Sequence, residues 1–455
     1  MLVKNQEVTL TIEDIASDGN GVSRYMDFVV FVPYTAVGDV ITAKIVKVKK
    51  KHAFGIIVNL LKESPHRIDS GCIHFQKCGG CSLRHLDYKE ELRLKKNFVV
   101  NSLNKIGNID FPVEEVIPSP DISKYRNKVQ LPVYQDKNGL NFGFYARRSH
   151  RIVPITGGCD LNPVIFNKIA SDVCEILNSY SVKAYDEYSH QRDLRHIVLR
   201  ENDKGEIMLC LVMNCDSFEG ELEFCKNILK EHPEIVSIVL NENSKNTNRI
   251  MGFYNRTLYN KGYIYDTLCG KKFRLSPTSF FQINRGAAEI LYGEIEKLVQ
   301  PEIDDIVLDL YCGVGSIGLS FAEKVRKVIG VENNESAVED AHHNASVNEI
   351  YNAEFFNLDA TKFSEKLKKF AILPDCIITD PPRKGCSATL LSNLVSLNPE
   401  KIVMVSCNPA TLARDLRVLI DSGYEIKKVT PVDMFPRTEH VETAALVSKV
   451  IHREY

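Results

Sequence analysis

Hydrophobic and polar positions alternate in short stretches over the first sixty residues. Val8, Leu10 and Ile12 alternate with Thr9 and Thr11, Asp18-Gly19-Asn20-Gly21 reads as a turn, and Phe28 to Val32 is an unbroken apolar run. Val37-Gly38-Asp39 turns into Val40 to Val48, and Lys49-Lys50-Lys51-His52 precedes a run from Ala53 to Leu60. Short strands separated by glycine turns predict a small β-barrel over residues 1–62. Residues 63–270 carry a mixed α+β pattern. Asp87-x-x-Glu90 predicts a capped helix with Leu92, Val99 and Leu103 among its apolar positions. Asn138-Gly139, between Val129–Tyr134 and Leu140–Tyr145, predicts a hairpin. From 271 to 455, β-like runs (Ile306–Leu310, Val328–Val331, Ala353–Asn357, Cys376–Thr379, Ile402–Val405, Ala444–Val447) alternate with helix-length segments. That order predicts a Rossmann-like, doubly wound parallel sheet, and the whole is a multidomain α/β chain.

Composition narrows the function classes. Of 455 residues, 44% are hydrophobic and 25% charged, an ordinary globular balance that suits several domains. No run of about 18 apolar residues appears, so no membrane partner is expected. Met1 to Glu7 lacks the apolar run of a secretory signal. Thirteen cysteines spread among α/β segments point to metal-binding or catalytic thiols in a reducing, cytoplasmic setting. A net charge of −2 gives no global field for nucleic acid, so any RNA binding must rest on local basic groups. Three such groups stand out: Lys47, Lys49, Lys50 and Lys51; Arg147, Arg148 and Arg151, interleaved with Phe142, Phe144 and Tyr145; and Arg192, Arg195, His196 and Arg200. Rings that stack on bases beside cations that hold phosphates suit single-stranded RNA, although such charge runs are also common on solvated faces.

The chemistry concentrates in the last third. Ile306–Leu310 runs into Tyr311-Cys312-Gly313-Val314-Gly315-Ser316-Ile317-Gly318, a glycine loop that lets the backbone approach a ligand at a helix N-terminus. Glu332 ends the next run, where a carboxylate can accept ribose hydroxyls, and Asp359 follows the third, where an adenine often lies. The Gly-x-Gly-x-x-Gly spacing equally fits a dinucleotide enzyme. Asp380-Pro381-Pro382-Arg383 ends the fourth run as a rigid acidic loop. The fifth ends in Ser406-Cys407-Asn408-Pro409, with Asn408 as a helix cap and Pro409 at the first helical position. Cys407 is therefore expected at a helix N-terminus, where the dipole favours a thiolate. Glu442, in Thr438-Glu439-His440-Val441-Glu442-Thr443, is the candidate base, with His440 the alternative. Cys72-x5-Cys78-x2-Cys81 with the distant Cys159 looks like a metal site for zinc or an iron–sulfur cluster. The remaining cysteines (Cys174, Cys210, Cys215, Cys225, Cys269, Cys312, Cys376, Cys386) read as structural.

Five motifs in order, Ser276 to Asn284, Asp309 to Gly313, Asp380 to Arg383, Ser406 to Pro409 and His440 to Thr443, resemble the RNA uracil-5 methyltransferase family. The resemblance implies S-adenosyl-L-methionine as cofactor, held by Gln282, Tyr311, Glu332 and Asp380, with Ser316 and Asp359 as lesser contributors. It implies Cys407 as nucleophile and Glu442 as base. Carbon 5 of uracil is a poor nucleophile until a thiolate adds at C6, and a base must then remove the C5 proton. Residues 1–62 resemble the TRAM barrel, and the four cysteines resemble the [4Fe–4S] site of the family's 23S ribosomal-RNA branch. The implied partner is 23S rRNA, with a monomeric enzyme. A tRNA substrate and a non-catalytic assembly factor are the alternatives, the latter disfavoured by the presence of both Cys407 and Glu442.

Overall fold

The computed structural model describes residues 2–247, 249–370 and 373–450, so Met1 and residues 451–455 of the expected terminal domains lie outside the described residues. Six strands form the first unit: β1 (Glu7–Thr11), β2 (Asp14–Ile15), β3 (Asn20–Tyr25), β4 (Phe28–Pro33), β5 (Val40–Val48) and β6 (His52–Lys62). They are ordered β1-β5-β6-β4-β3-β2, antiparallel except for β4 with β6. Alternate residues such as Ile41, Ala43 and Ile45 point inward, as the period-two pattern requires. Buried Asp39 accepts from the Ser64 N–H at 2.9 Å and from Arg67 Nη2 at 2.7 Å, closing the barrel against the chain that follows it.

Helix α1 (Tyr88–Ser102) starts at Asp87, whose side chain accepts from Glu90 N, as the capping pattern predicts. It belongs to two cores at once. Leu94 and Phe98 are buried with Leu83, Leu86 and the barrel's apolar face, while Val99 and Leu103 are buried against the C-terminal sheet. The helix therefore bridges the outer units instead of serving the central one, which departs from the expected 63–270 grouping.

The central sheet contains β7 (Lys128–Asp136), β8 (Gly139–Tyr145), β9 (Ile152–Pro154), β10 (Leu194–Glu201), β11 (Ile207–Met213), β12 (Ile235–Glu242) and β13 (Tyr254–Tyr259), ordered β13-β12-β11-β10-β7-β8-β9. Helices α2 (Val164–Ser179) and α3 (Glu221–Glu231) contribute Phe166, Val173, Phe224 and Ile228 to its core. The β7–β8 hairpin turns at Lys137-Asn138, and Gly139 takes a φ of 113°, which favours glycine. A small hairpin, β14 (Ile264–Leu268) with β15 (Lys271–Leu275), leads into α4 (Arg285–Val299).

The last sheet alternates strands and helices: β16 (Ile306–Leu310), α5 (Ser316–Ser320), β17 (Lys327–Glu332), α6 (Glu335–Val347), β18 (Ala353–Asn357), α7 (Ala360–Phe370), β19 (Cys376–Thr379), α8 (Ala388–Leu397), β20 (Lys401–Ser406), α9 (Pro409–Asp421), β21 (Tyr424–Val432) and β22 (Glu442–Lys449). Its order is β18-β17-β16-β19-β20-β22-β21. The chain leaves β16 toward β17 and later returns on its other side as β19, so the order reverses there, the place where open α/β sheets bind ligands. The first five strands in sequence are parallel; β22 runs antiparallel between β20 and β21, unlike the all-parallel expectation. Among the described residues no helix is long and apolar enough to cross a membrane.

Candidate active site

Strand register assembles the carboxyl edge of the last sheet. Leu310 pairs with both Val331 and Thr379, so one step further Tyr311 lies between Glu332 and Asp380. Tyr311 holds a φ of 64°, strained for a side chain other than glycine, which turns the backbone out of β16 at this point. Gly313 and Gly315 follow with φ of 55° and 81°, and a Cβ at Gly315 would lie 2.9 Å from the Phe355 ring. Gly318 lets the helix start pack on the sheet, because a Cβ there would lie 2.7 Å from Val328.

The edge is acidic and tightly tied. Glu332 accepts from the Gly313 N–H at 3.2 Å and from the Asn334 N–H at 2.8 Å. Buried Asp309 accepts from the Gly318 N–H at 3.1 Å, and burial pushes its pKa up to about 7 against that bond. Burial also pushes Asp380 up to about 7. Ser316 is buried and shares a 2.8 Å hydrogen bond with the Tyr292 hydroxyl. Asp359 is exposed and accepts from the Thr361 N–H at 3.0 Å, capping the next helix. Gln282 is buried in a loop held from two sides. Asp340 on α6 accepts from Arg274 Nε at 2.6 Å, Ser276 Oγ at 2.7 Å and Ser279 Oγ at 2.6 Å. Arg200 of the central sheet donates to the Ser279 carbonyl at 2.7 Å, and Asn127 to the Gln282 carbonyl at 3.0 Å. Asp340 carries no sequence signal, since it sits mid-helix with no motif around it.

The antiparallel strand sets the reactive pair. Ser406 pairs with Thr443, so the next positions outward, Cys407 and Glu442, stand opposite each other at the same end of the sheet. Asn408 caps α9 by accepting from the Ala410 N–H at 3.1 Å, and its amide donates to the Arg383 carbonyl at 3.1 Å, which fixes the Asp380 to Arg383 loop beside Cys407. Glu442 is buried, one oxygen lacks a hydrogen-bond partner, and burial together with Asp380 raises its pKa well above the usual carboxylate range. Burial and then Glu442 push the Cys407 thiol up to about 11, with Arg383 opposing. The expected dipole-stabilised thiolate is not supported here: Cys407 precedes the cap, and burial beside carboxyls disfavours the anion. Arg383 Nη2 lies 2.7 Å from His440 Nε2, and burial lowers the His440 pKa to about 4, so that ring is neutral.

The four expected metal cysteines line one cavity, walled by Phe75, Phe144 and Ile155 with Arg84 and Arg126 beside it. Burial and the neighbouring thiols raise Cys78, Cys81 and Cys159, Cys81 to about 12. Among the described residues no group of three or more His, Cys, Asp or Glu stands close enough to hold a metal ion. The basic groups divide. Lys47, Lys49, Lys50 and Lys51 are exposed at the β5–β6 turn. Arg147 and Arg148 instead bind the barrel, at Asn20 (3.1 Å) and Asp18 (3.1 Å). Arg195, His196 and Arg200 are buried and structural, contrary to the expected RNA contact, because β10 lies near the centre of its sheet with both faces covered. Arg195, for example, donates to the Asn243 carbonyl at 2.8 Å.

A family model described as tRNA (uracil-5-)-methyltransferase matches residues 87–450, and a TRAM domain model matches residues 3–58. The chain belongs to the tRNA (uracil-5-)-methyltransferase family. It is an S-adenosylmethionine-dependent RNA methyltransferase with an N-terminal TRAM domain. An uncharacterised RNA methyltransferase of Oceanobacillus iheyensis is 40% identical, covering 97% of this chain and 96% of that one. One of Halalkalibacterium halodurans is 40% identical, covering 98% and 97%. The structure of Pyrococcus abyssi tRNA (uracil-54, C5)-methyltransferase with S-adenosyl-L-homocysteine matches with a TM-score of 0.77 at 28% identity, covering 97% of this chain and 100% of that one. For a methyltransferase of this family, the row of Tyr311, Glu332 and Asp380 fits a cationic cofactor: the backbone turns outward there and Gly313 leaves open space where a Cβ would stand.

Proposed function

We propose that this chain methylates carbon 5 of a uridine in 23S rRNA, with Cys407 as nucleophile and Glu442 as base. The observation that carries the chemistry is the register that brings these two residues together beside the acidic edge. Gln282, Tyr311, Glu332 and Asp380 would hold S-adenosylmethionine, with Asp359, which caps α7, and Ser316, which is bonded to Tyr292, as lesser contributors. The cofactor supplies an electrophilic methyl on a sulfonium. Arg383, hydrogen-bonded to the Cys407 sulfur, favours loss of its proton. The thiol proton would leave to solvent, the thiolate would add to C6, and the displaced π pair would let C5 take the methyl, whose bonding pair stays on the cofactor sulfur. Glu442 then takes the C5 proton; the C5–H pair restores the C5–C6 double bond, and the C6–S pair returns to sulfur.

The four cysteines would ligate a [4Fe–4S] cluster as a structural element, drawing closer together to do so: four thiols face one cavity whose histidine, His74, is already bonded to the Thr156 carbonyl, and zinc is the alternative. Protein purified without oxygen is expected to be brown, with near-stoichiometric iron and sulfide; zinc alone would overturn the cluster. The same reading makes the enzyme a cytoplasmic monomer.

A tRNA substrate is the second reading, favoured by the Pyrococcus abyssi tRNA enzyme matching 97% of this chain. A match of that length includes the barrel, so the barrel alone does not point to ribosomal RNA. The test compares protein-free 23S rRNA fragments with unmodified tRNA at equal concentration and moderate salt. Faster methylation of a ribosomal fragment supports the proposal; a wide preference for tRNA overturns the substrate and leaves the chemistry standing.

A further inference from the structure

Between β21 and β22 the chain makes an irregular excursion, Asp433 to Val441, that ends on Glu442. Its backbone is held by a segment more than three hundred residues earlier in the chain. Lys95 of α1 is fully buried, and its ammonium donates to Glu91 Oε1 at 2.7 Å, to Asp433 Oδ1 at 2.7 Å and to the Phe435 carbonyl at 3.2 Å. Glu91 in turn accepts from the Arg437 N–H at 2.7 Å, and the Tyr88 hydroxyl donates to Asp433 Oδ2 at 2.9 Å. Nearer the cysteines, the N–H groups of Ser82 and Leu83 both donate to the Arg437 carbonyl at 3.1 Å, and Ser82 Oγ donates to Glu439 at 2.5 Å. The barrel closes over this contact, since a Cβ at Gly19 would lie 2.9 Å from Ser82.

A lysine and two carboxyls with no exposure are costly to bury unless their geometry is kept, so they fix the loop in one arrangement. Removing any partner leaves a buried charge or polar group without its bond, and the loop must shift to recover solvation. We propose that Lys95, with Glu91 and Asp433, is the positioning residue for the base: it sets Glu442 against Cys407, and Ser82 adds the cysteine segment to the same clamp. This rests on Glu442 being the base. The function of the cysteine segment is then to hold the base loop. Proton removal after methyl transfer is the step that depends on it most, because addition of Cys407 rests on the β20 end and the Asp380–Arg383 loop, which meets the clamped loop at His440.

The experiment follows methyl transfer, release of the C5 hydrogen as tritium, and the covalent protein–RNA adduct on denaturing gels. Full-length Lys95→Met, Lys95→Arg, Tyr88→Phe, Ser82→Ala and Glu442→Gln are compared. Ser82→Ala deletes one hydrogen bond, to Glu439, and Tyr88→Phe two, to Asp433 and from the Ser119 N–H; both keep the packing, so they report even if Lys95→Met does not fold. Hydrogen release is expected to fall roughly 10- to 100-fold in the Lys95 variants, as for a catalytic group displaced by about 1 Å, and less in the milder ones. Adduct should accumulate, with KM for RNA and affinity for S-adenosylhomocysteine unchanged. Adduct trapped by Glu442→Gln but by none of the folded clamp variants overturns the clamp alone. Adduct trapped by neither overturns the base assignment and the clamp with it. Loss of cofactor affinity in parallel with activity also overturns the clamp, since it marks general destabilisation.

Discussion

Cys407 sits where burial, Glu442 and Asp380 all disfavour its thiolate, with only Arg383 in opposition, and the thiol is pushed up to about 11. In the unliganded protein the thiolate fraction must therefore keep growing with pH far beyond the range where an ordinary cysteine saturates. Alkylation of Cys407 by iodoacetamide, followed by peptide mapping, is expected to accelerate about tenfold per pH unit up to about pH 11. Arg383→Met should slow it further at fixed pH, since it removes the one neighbour that favours the anion. A plateau near pH 8 would show that the helix end dominates after all. Cys407 and Glu442 were legible in the sequence because each lies in a motif whose residue types match one reaction. Lys95, Glu91, Asp433 and Asp340 were not, because a buried polar residue that works by holding another chain segment leaves no periodicity and no local spacing. The pattern around Lys95 reads as a solvated helix face, yet its side chain has no exposure.

The edge formed by β16, β17 and β19 was legible as alternating apolar runs with a glycine loop, and the strands match to within two residues at either end. What alternation concealed was β21, whose exposed Glu425 and Lys427 and terminal Pro431 weaken the strand signal. Without β21 the antiparallel place of β22 cannot be read, and the pairing of Cys407 with Glu442 is lost with it. The same edge has a pH signature. Burial raises Asp380 from its unfolded value to about 7, so the folded state binds that proton more tightly than the unfolded chain does. The contribution of Asp380 to stability is then fully present at acid pH and falls as pH rises to about 7. Asp380→Asn is expected to raise the melting temperature of the cofactor-free protein by roughly 2–4 °C at pH 8. That gain should disappear near pH 4, where both side chains are neutral, and S-adenosylhomocysteine binding should weaken at either pH. A variant less stable than the parent at pH 8, under calorimetry, would show that Asp380 is ionised without strain. Gly315→Ala probes the loop itself: a φ of 81° costs roughly 1–2 kcal/mol for a residue with a Cβ, and the methyl meets Phe355. Cofactor affinity should fall while RNA affinity holds, as titration calorimetry and filter binding would register separately.

The barrel, the cysteine segment and the catalytic sheet form a continuous body around α1, which changes how the barrel's contribution must be tested. The first boundary, near residue 62, was legible because short alternating strands give way to a different pattern. The role of α1 was hidden, because its stripe mixes Leu94 and Phe98 with Glu90, Glu91 and Lys95, all buried. Deleting residues 1–62 would expose Leu83, Leu86, Leu94 and Phe98, and so would loosen the helix that holds the base loop. Loss of activity in such a deletion says nothing about RNA binding. The cleaner perturbation is at Lys49, Lys50 and Lys51, which are exposed at the β5–β6 turn and form no ion pair among the described residues. Each lysine that neutralises a phosphate of single-stranded RNA steepens the dependence of log affinity on log salt by about 0.7. Replacing all three with alanine should flatten that slope by up to about 2 and weaken binding most at low salt. Turnover at saturating RNA and the melting temperature should be unchanged, since none of the three enters the barrel core. An unchanged salt slope would make these lysines a solvated hairpin turn, and would leave the RNA contacts to the central sheet and the rim of the catalytic edge.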